Sequence, residues 1–444
     1  MSCRRNRGIT LCRAEAVTEK KQYKRNINGN GTEIKLEGKY KMKKLLITLL
    51  FAAGLLTACT TVLHAAENAG KAILGINPCQ KEITVQAVTA DGSPVQVEGC
   101  TVTELPSGEE IFLEALGDAV VLKGNITELD CSSNELTALD VRGLTALQTL
   151  YCDNNLLTSI DLHGLTALQE LYCNDNEIAS LDARGLTALQ ALHCDNNRLT
   201  SLDVQGLTAL QWLDCHFNKL TSLDVHGLTS LQVLECSSNR LTSLDVHVLT
   251  ALKNLDCQDN KLTSLDVRKL IGLRTLFCND NRLTALNVRR LTALQELDCS
   301  SNAIASIDVR GLTGLRILYC ENNRLTSLDV QGLTALQKLV CSDNQLTALN
   351  VQGLPALQAL GFQNNRLEED AIIRILNSLP DRKTDEEGLA VFYTEDDNRN
   401  EENSTDWNAS DSLQAAIKRA RAKNWTIYKQ IVGGDFEELE PVDE

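Results

Sequence analysis

Histidine is scarce: six in 444 residues, scattered along the chain, with no serine–histidine–aspartate or cysteine–histidine set among them. No glycine-rich phosphate loop occurs, and no pair of cysteines at zinc spacing. No cysteine follows Cys341, which excludes a cysteine-dependent protease or ligase downstream of it. These gaps argue against an enzyme, and neither a cofactor nor a metal is expected. Positive charge is also short, with 43 Lys/Arg against 59 Asp/Glu and a formal net charge of −16. Thirteen of those basic residues crowd into residues 1–44. Nucleic acid and anionic lipid both require a basic footprint, so neither suits the rest of the chain as a partner. Long apolar runs are missing as well. The run from Leu45 to Ala58 is too short to span a bilayer.

Cysteine, by contrast, is plentiful and ordered. Eleven of the sixteen recur at one constant interval, at positions 131, 152, 173 and so on to 341, and Phe362 takes the next place. An asparagine row runs in phase three positions later, from Asn134 and Asn155 to Asn365 without a gap. A fixed period in this range with L-x-x-L-x-[L/C]-x-x-N is the signature of a leucine-rich repeat solenoid. The expected fold is an α/β solenoid: a horseshoe of about 12 repeats of about 21 residues, with a parallel β-sheet on its concave face. A stack of this kind grows its core turn by turn, so function belongs on a surface and not in a pocket.

Within one repeat, Leu144, Leu147, Leu150, Cys152, Leu157, Ile160 and Leu162 stay apolar from turn to turn. Leu150 and Cys152 alternate with polar neighbours and face inward on a short strand. Asn155 is tolerated inside because its amide can bond backbone groups of the adjacent turn. The glycine that opens Gly-Leu-Thr-Ala-Leu is replaced by Val248, Lys269 and Arg290, so that position does not require positive φ. Stacked strands lie about 4.8 Å apart, whereas a disulfide needs Cβ atoms about 3.8 Å apart and converging; the ladder thiols are expected to be reduced and buried.

The ends differ. Residues 1–41 read as a non-native upstream extension and 42–58 as a signal peptide, ending in Leu56-Thr57-Ala58-Cys59. That ending resembles a bacterial lipobox, which implies lipidation of Cys59. Residues 59–105 form an N-terminal β region, in which Ile83–Val88 and Val95–Val97 flank Asp91-Gly92-Ser93-Pro94 as a hairpin. Cys79 and Cys100 can pair as a disulfide across it in an oxidising compartment. Repeats occupy 106–367 and an αβ cap 368–432. The cap is read as a helix from Glu368 to Leu379, a strand from Gly388 to Thr394, a helix from Ser412 to Lys423 capped by Asp411, and a last strand from Trp425. Residues 433–444 form an acidic tail.

Since the core positions barely change, the informative positions are the outward ones. The three columns flanking the inward strand residues hold five, three and three carboxylates against a single lysine. Tyr151, Tyr172, His193, Trp212, Asp214, His216, Glu235, Phe277 and Tyr319 are the candidate ligand-binding residues. Exposed aromatics framed by carboxylates have the composition of a binding hot spot, because aromatics contribute area at little entropic cost.

From Cys131 to Asn365 the repeats resemble those of bacterial internalins, some of which carry a cysteine in place of one core leucine. The lipobox, with Asn377-Ser378-Leu379-Pro380-Asp381-Arg382 and Ala422-Lys423-Asn424-Trp425-Thr426, looks like surface lipoproteins of Bacteroides-type bacteria. The resemblance implies a lipoprotein of the cell envelope, in the outer membrane, surface-exposed or periplasmic, anchored at Cys59. It further implies adhesion, through the concave face, to a protein or glycan on a host or neighbouring cell, as in virulence. A structural envelope protein without a concave ligand is the alternative. The chain departs from internalins in lacking a C-terminal LPXTG-like anchor.

Overall fold

In a computed structural model, residues 70–382, 387–394, 410–431 and 436–439 are described. The segment read as a signal peptide, 42–58, and Cys59 lie outside them. The described residues form two compact units, one reaching to residue 168 with 176–178 added, the other made of 169–175 and 179 onward.

The first unit begins with β1 (Lys71–Gly75), β2 (Glu82–Thr89), β3 (Val95–Glu98), β4 (Glu104–Leu105), β5 (Glu110–Glu114), β6 (Ala119–Lys123), β7 (Ile126–Asp130), β8 (Ala138–Asp140) and β9 (Thr149–Tyr151). Strands β4, β3, β6, β1 and β8 make one antiparallel sheet. A second sheet is formed as β2 pairs antiparallel with both β5 and β7, and β7 pairs parallel with β9. The hairpin expected of Ile83–Val88 and Val95–Val97 therefore does not form. β2 alternates buried and half-buried side chains, and it is sandwiched between β5 and β7, whose long registers outcompete the local turn. Its Thr84 also accepts and donates backbone bonds with the Asn134 side chain, at 2.7 Å each. The first ladder asparagine thus docks onto the β2 strand instead of onto a preceding repeat. Cys79 is exposed in a turn, while Cys100 is buried with its Sγ donating to Val102 O at 2.9 Å; both are free thiols.

The second unit carries one three-residue strand per repeat: β10 (Glu170–Tyr172), β11 (Ala191–His193), β12 (Trp212–Asp214), β13 (Val233–Glu235), β14 (Asn254–Asp256), β15 (Thr275–Phe277), β16 (Glu296–Asp298), β17 (Ile317–Tyr319), β18 (Lys338–Val340) and β19 (Ala359–Gly361). Each pairs parallel with the next at an offset of one repeat, Leu213 opposite Leu234 and Leu255 opposite Leu276. The leucine columns and the cysteines are buried, which is why the period is so strict. No repeat can cover its own apolar face, so each must match its neighbours. Extended turns, not helices, occupy the rest of each repeat.

Two columns of the turns, one of asparagines and one of left-handed residues, recur in every repeat. Asn260 is representative of the first: its Nδ2 donates to Cys236 O at 3.0 Å, Cys257 O at 3.2 Å and Gln258 O at 3.2 Å, and its Oδ1 accepts from Leu241 N at 2.9 Å. The second column, two positions after each cysteine, is left-handed in every turn, from Asn154 and Asp175 to Asp343 and Asn364. The opening glycine behaves in two ways. Gly206 and Gly227 take φ of +84° and +89°, whereas Val248, Lys269 and Arg290 are outside the left-handed region. Those three repeats use a different backbone path at that point.

After β19 come α1 (Glu369–Ser378), β20 (Gly388–Thr394), α2 (Asp411–Ala422), β21 (Trp425–Gln430) and β22 (Phe436–Glu438). β20 and β21 continue the parallel row, and β22, in the segment read as an acidic tail, adds an antiparallel strand. α2 is capped by Ser410, whose side chain accepts from Leu413 N, so Asp411 is its first helical residue and not its cap. Among the described residues no helix is long and apolar enough to cross a membrane.

Candidate functional site

Each repeat strand buries its central leucine and, just past its end, its cysteine. Three side chains per turn are left on the outer face of the sheet, as with Trp212, Asp214 and His216 around Leu213 and Cys215. Parallel register stacks equivalent positions. Tyr172 lies beside His193, His193 beside Asp214, and Asp214 beside Glu235, while Ala191 lies beside Trp212. Just beyond the strands, Asp195 and His216 occupy the next row of the same face.

Three rings run continuously across β10–β12. Tyr172 stacks flat on His193, with centroids 4.5 Å apart and planes within 6°. His193 meets Trp212 at 5.4 Å and 42°. Trp212 is 39 % exposed, and Phe217, edge-on to His216 at 5.1 Å, is 58 % exposed. Phe217 occupies the left-handed column at φ +50°, where other repeats place asparagine, aspartate or serine. A side chain of this size costs about 1–2 kcal/mol in that conformation. A strained, solvent-facing phenylalanine beside a ring stack is a feature that folding alone does not require.

Around the rings sits a cluster of acids and imidazoles. Asp214 is buried, and its Oδ1 accepts from His216 N at 3.2 Å and is 2.5 Å from His216 Nδ1. His216 Nε2 lies 3.6 Å from Asp195 Oδ2, and His193 Nδ1 lies 4.0 Å from Asp214 Oδ2. Burial, reinforced by the charge of Asp214, pushes the Asp195 carboxyl up to about 6. The same two causes raise Glu235. Burial on its own would lower His216, but the hydrogen bond and charge of Asp214 prevail and raise it. Burial drives the ladder thiols of Cys194, Cys236 and Cys278 well up, which leaves them as inert small hydrophobes.

Of the residues singled out from sequence, Tyr172, His193, Trp212, Asp214, His216 and Glu235 come together on four consecutive strands. Phe277 lies three strands beyond Trp212 and Tyr319 five, the latter almost fully buried, so neither joins the ring stack. Tyr151 occupies the equivalent position on β9 of the first unit. Asp195 was missed as a member of the set, and the histidines are not scattered here. His193 and His216 are separated by one repeat plus one strand alternation, the spacing that puts them on adjacent strands in adjacent rows.

A profile of leucine-rich repeats in two copies matches residues 124–163, 166–207 and 292–333. Among solved structures, the functional domain of InlJ from Listeria monocytogenes, described as including a cysteine ladder, aligns with a TM-score of 0.55 and 34% identity. The alignment covers 66% of this chain and 63% of that one, so less than two thirds of that domain is spanned. A leucine-rich repeat protein of Leptospira interrogans aligns with a TM-score of 0.54 and 26% identity, over 67% of this chain and 82% of that one. An internalin (InlF) of Listeria monocytogenes aligns at 25% identity over 54% of this chain and 82% of that one, with a TM-score of 0.48. No curated protein matches the chain significantly.

Proposed function

From the premise that the chain is a leucine-rich repeat protein structurally similar to Listeria internalins, we propose that it is an extracytoplasmic binding protein. It engages a protein or glycan on a host or neighbouring cell through the outer face of β10–β13. The observation that carries this reading is the Tyr172–His193–Trp212 stack, extended by the strained and exposed Phe217. Rings held in place by stacking lose little entropy on binding and offer flat apolar area, which suits both a protein hot spot and a sugar face. The half-buried acids beside them, Asp195 and Glu235, supply hydrogen-bond acceptors for the partner's hydroxyl or amide groups. Membrane attachment through a lipid on Cys59 belongs to the same reading and is supported by the lipobox sequence.

The test is retention of cell-surface proteins and arrayed glycans by the chain downstream of Cys59, compared with Tyr172→Ala/Trp212→Ala. Loss of two hot-spot aromatics costs about 2 kcal/mol or more each, so retention should fall well over tenfold with the melting temperature little changed. Unchanged retention by the variant refutes the binding-face reading and favours a structural envelope role. Anchoring is tested separately by metabolic labelling with a palmitate analogue, which Cys59→Ala should abolish.

A further inference from the structure

The outward columns of β10–β13 carry Glu170, Asp195, Asp214 and Glu235 and neither lysine nor arginine; the one lysine in those columns, Lys338, belongs to β18. The largest charges acting on Asp195 come from Asp214, His216 and Asp175, and those on Glu235 from Asp214, Asp256 and His216. Two imidazoles, His216 and His193, thus face five carboxyl groups, Asp175, Asp195, Asp214, Glu235 and Asp256. Glu235 and Asp214 are hydrogen-bonded through their carboxyl groups, which requires a proton between them. Burial and mutual repulsion hold Glu235 up at about 7, so the pair keeps that proton near neutrality, in a place that a partner's cation can take over.

An uncovered aromatic face stands beside this pair. Trp212 meets His193 on one side; on the other, register places Val233, too short to cap an indole, and Trp212 stays 39 % exposed. Val233 and Glu235 are the two outward residues of β13, so the open side of the indole and the Glu235 carboxyl border one spot. Diagonal neighbours on adjacent strands lie about 7–8 Å apart, a gap that a flat cation fills.

We propose that this spot receives an arginine side chain of a protein partner, its guanidinium lying on the Trp212 indole and donating to the Glu235 carboxylate. A guanidinium is planar and weakly hydrated, stacks on an aromatic face and offers a fork of donors that matches a carboxylate. A lysine ammonium supplies the charge but neither the flat face nor the fork. A sugar can use the ring but brings no charge to replace the proton. The inference rests on the binding-face reading and narrows its partner to a protein with an exposed arginine. The excess of carboxylates along the rest of the face draws such a basic segment in.

The experiment titrates the full chain by calorimetry, near pH 7, with an acetylated pentapeptide of alternating glycine and arginine and with its lysine counterpart. The arginine peptide should bind at least about fivefold more tightly. Trp212→Leu keeps apolar bulk without the ring, and Glu235→Gln keeps a hydrogen bond to Asp214 without the charge. Each should weaken arginine binding at least about fivefold, while Asp224→Asn, an equal loss of charge on an exposed turn, should change it by less than about twofold. Affinity should also rise with pH between 5 and 8, as Glu235 and Asp195 lose their protons and the imidazoles lose theirs, and Glu235→Gln should lessen that rise. Equal affinity for the two peptides overturns the inference. So do equal losses in Glu235→Gln and Asp224→Asn, which describe diffuse attraction to an acidic chain. Retention of cell-surface proteins that survives Tyr172→Ala/Trp212→Ala sinks the binding-face reading itself; retention that needs those rings yet resists competition by the arginine peptide sinks only the arginine assignment. Melting curves show whether Trp212→Leu folds; if it does not, Glu235→Gln decides.

Discussion

Replacing Asn260 with alanine should cost the fold about 3–5 kcal/mol, more than most single changes in a solenoid of this size. The substitution leaves two buried backbone groups without their partner: the Leu241 N–H, bonded at 2.9 Å to Oδ1, and the Cys236 carbonyl, bonded at 3.0 Å to Nδ2. Each orphaned buried group costs about 1–3 kcal/mol, and the lost bonds to Cys257 O and Gln258 O add little because they lie within the same turn. Cys257→Ala, next along the ladder, removes only a sulfur from a sealed core and should cost about 1 kcal/mol. The polar row, not the cysteine row, is therefore the stronger tie between repeats. Urea denaturation followed by circular dichroism measures both variants, and amide exchange reports Leu241 directly. A loss below about 1 kcal/mol for Asn260→Ala, or a protected Leu241 amide in that variant, refutes the reasoning.

Phe217→Asn should stabilise the chain by about 1 kcal/mol, because asparagine tolerates the left-handed region that phenylalanine resists; a thermal melt that shows no gain would deny the strain at φ +50°. The same variant should bind the surface partner less well. A pH series tests the acid cluster. Asp195 has a folded pKa raised to about 6 from an ordinary 3.8, so its contribution is fully present below about pH 4 and is lost as pH rises through 6. His216 is also raised and acts in the same direction, against Asp214, Asp175 and Glu235 as the surrounding charges. Glu235, raised from 4.5 to about 7, titrates in the same window, so stability should fall by at least about 2 kcal/mol between pH 4 and pH 7, after allowing for the solvent that reaches both carboxylates, and Asp195→Asn should remove the part of that fall centred near pH 6. A profile that is the same in the variant would show that Asp195 is not the titrating group.

Much of the architecture could be read before any coordinates, because one physical constraint repeats. Leu150 and Cys152 had to face inward, and Asn155 had to bond backbone, since a stacked turn leaves them no other environment. The cap helices were legible for a different reason: an apolar face at helical spacing before Pro380, and another after Asp411. What escaped reading was non-local or masked by ordinary residue types. The Asp-Gly-Ser-Pro turn predicts a hairpin, yet β2 finds longer registers with β5 and β7, which no local signal encodes. The left-handed column passed as plain polar loop because asparagine, aspartate and serine suit both. At the site, the sequence gives the column of each aromatic, but neighbourhood depends on strand number as well. Phe277 shares a column with His193 while lying four strands from it. His193 and His216 sit in different columns of successive repeats, and only strand alternation added to a full turn shows them as neighbours.

The uniform register of β10 to β19 has a consequence for how such a gene can change. Every junction between turns presents the same leucines, the same asparagine amide and the same backbone offset of one whole repeat. Any turn can therefore follow any other. Unequal recombination that inserts or drops whole units leaves no mismatched junction inside, while it shifts which outward side chains become neighbours. The interior behaves as a common connector, and the surface as an alphabet that can be spelled anew by cutting and joining. The convergence of His193, Asp195, Asp214 and His216 is then a word spanning two letters, lost whenever a unit is inserted between them and open to being written again elsewhere.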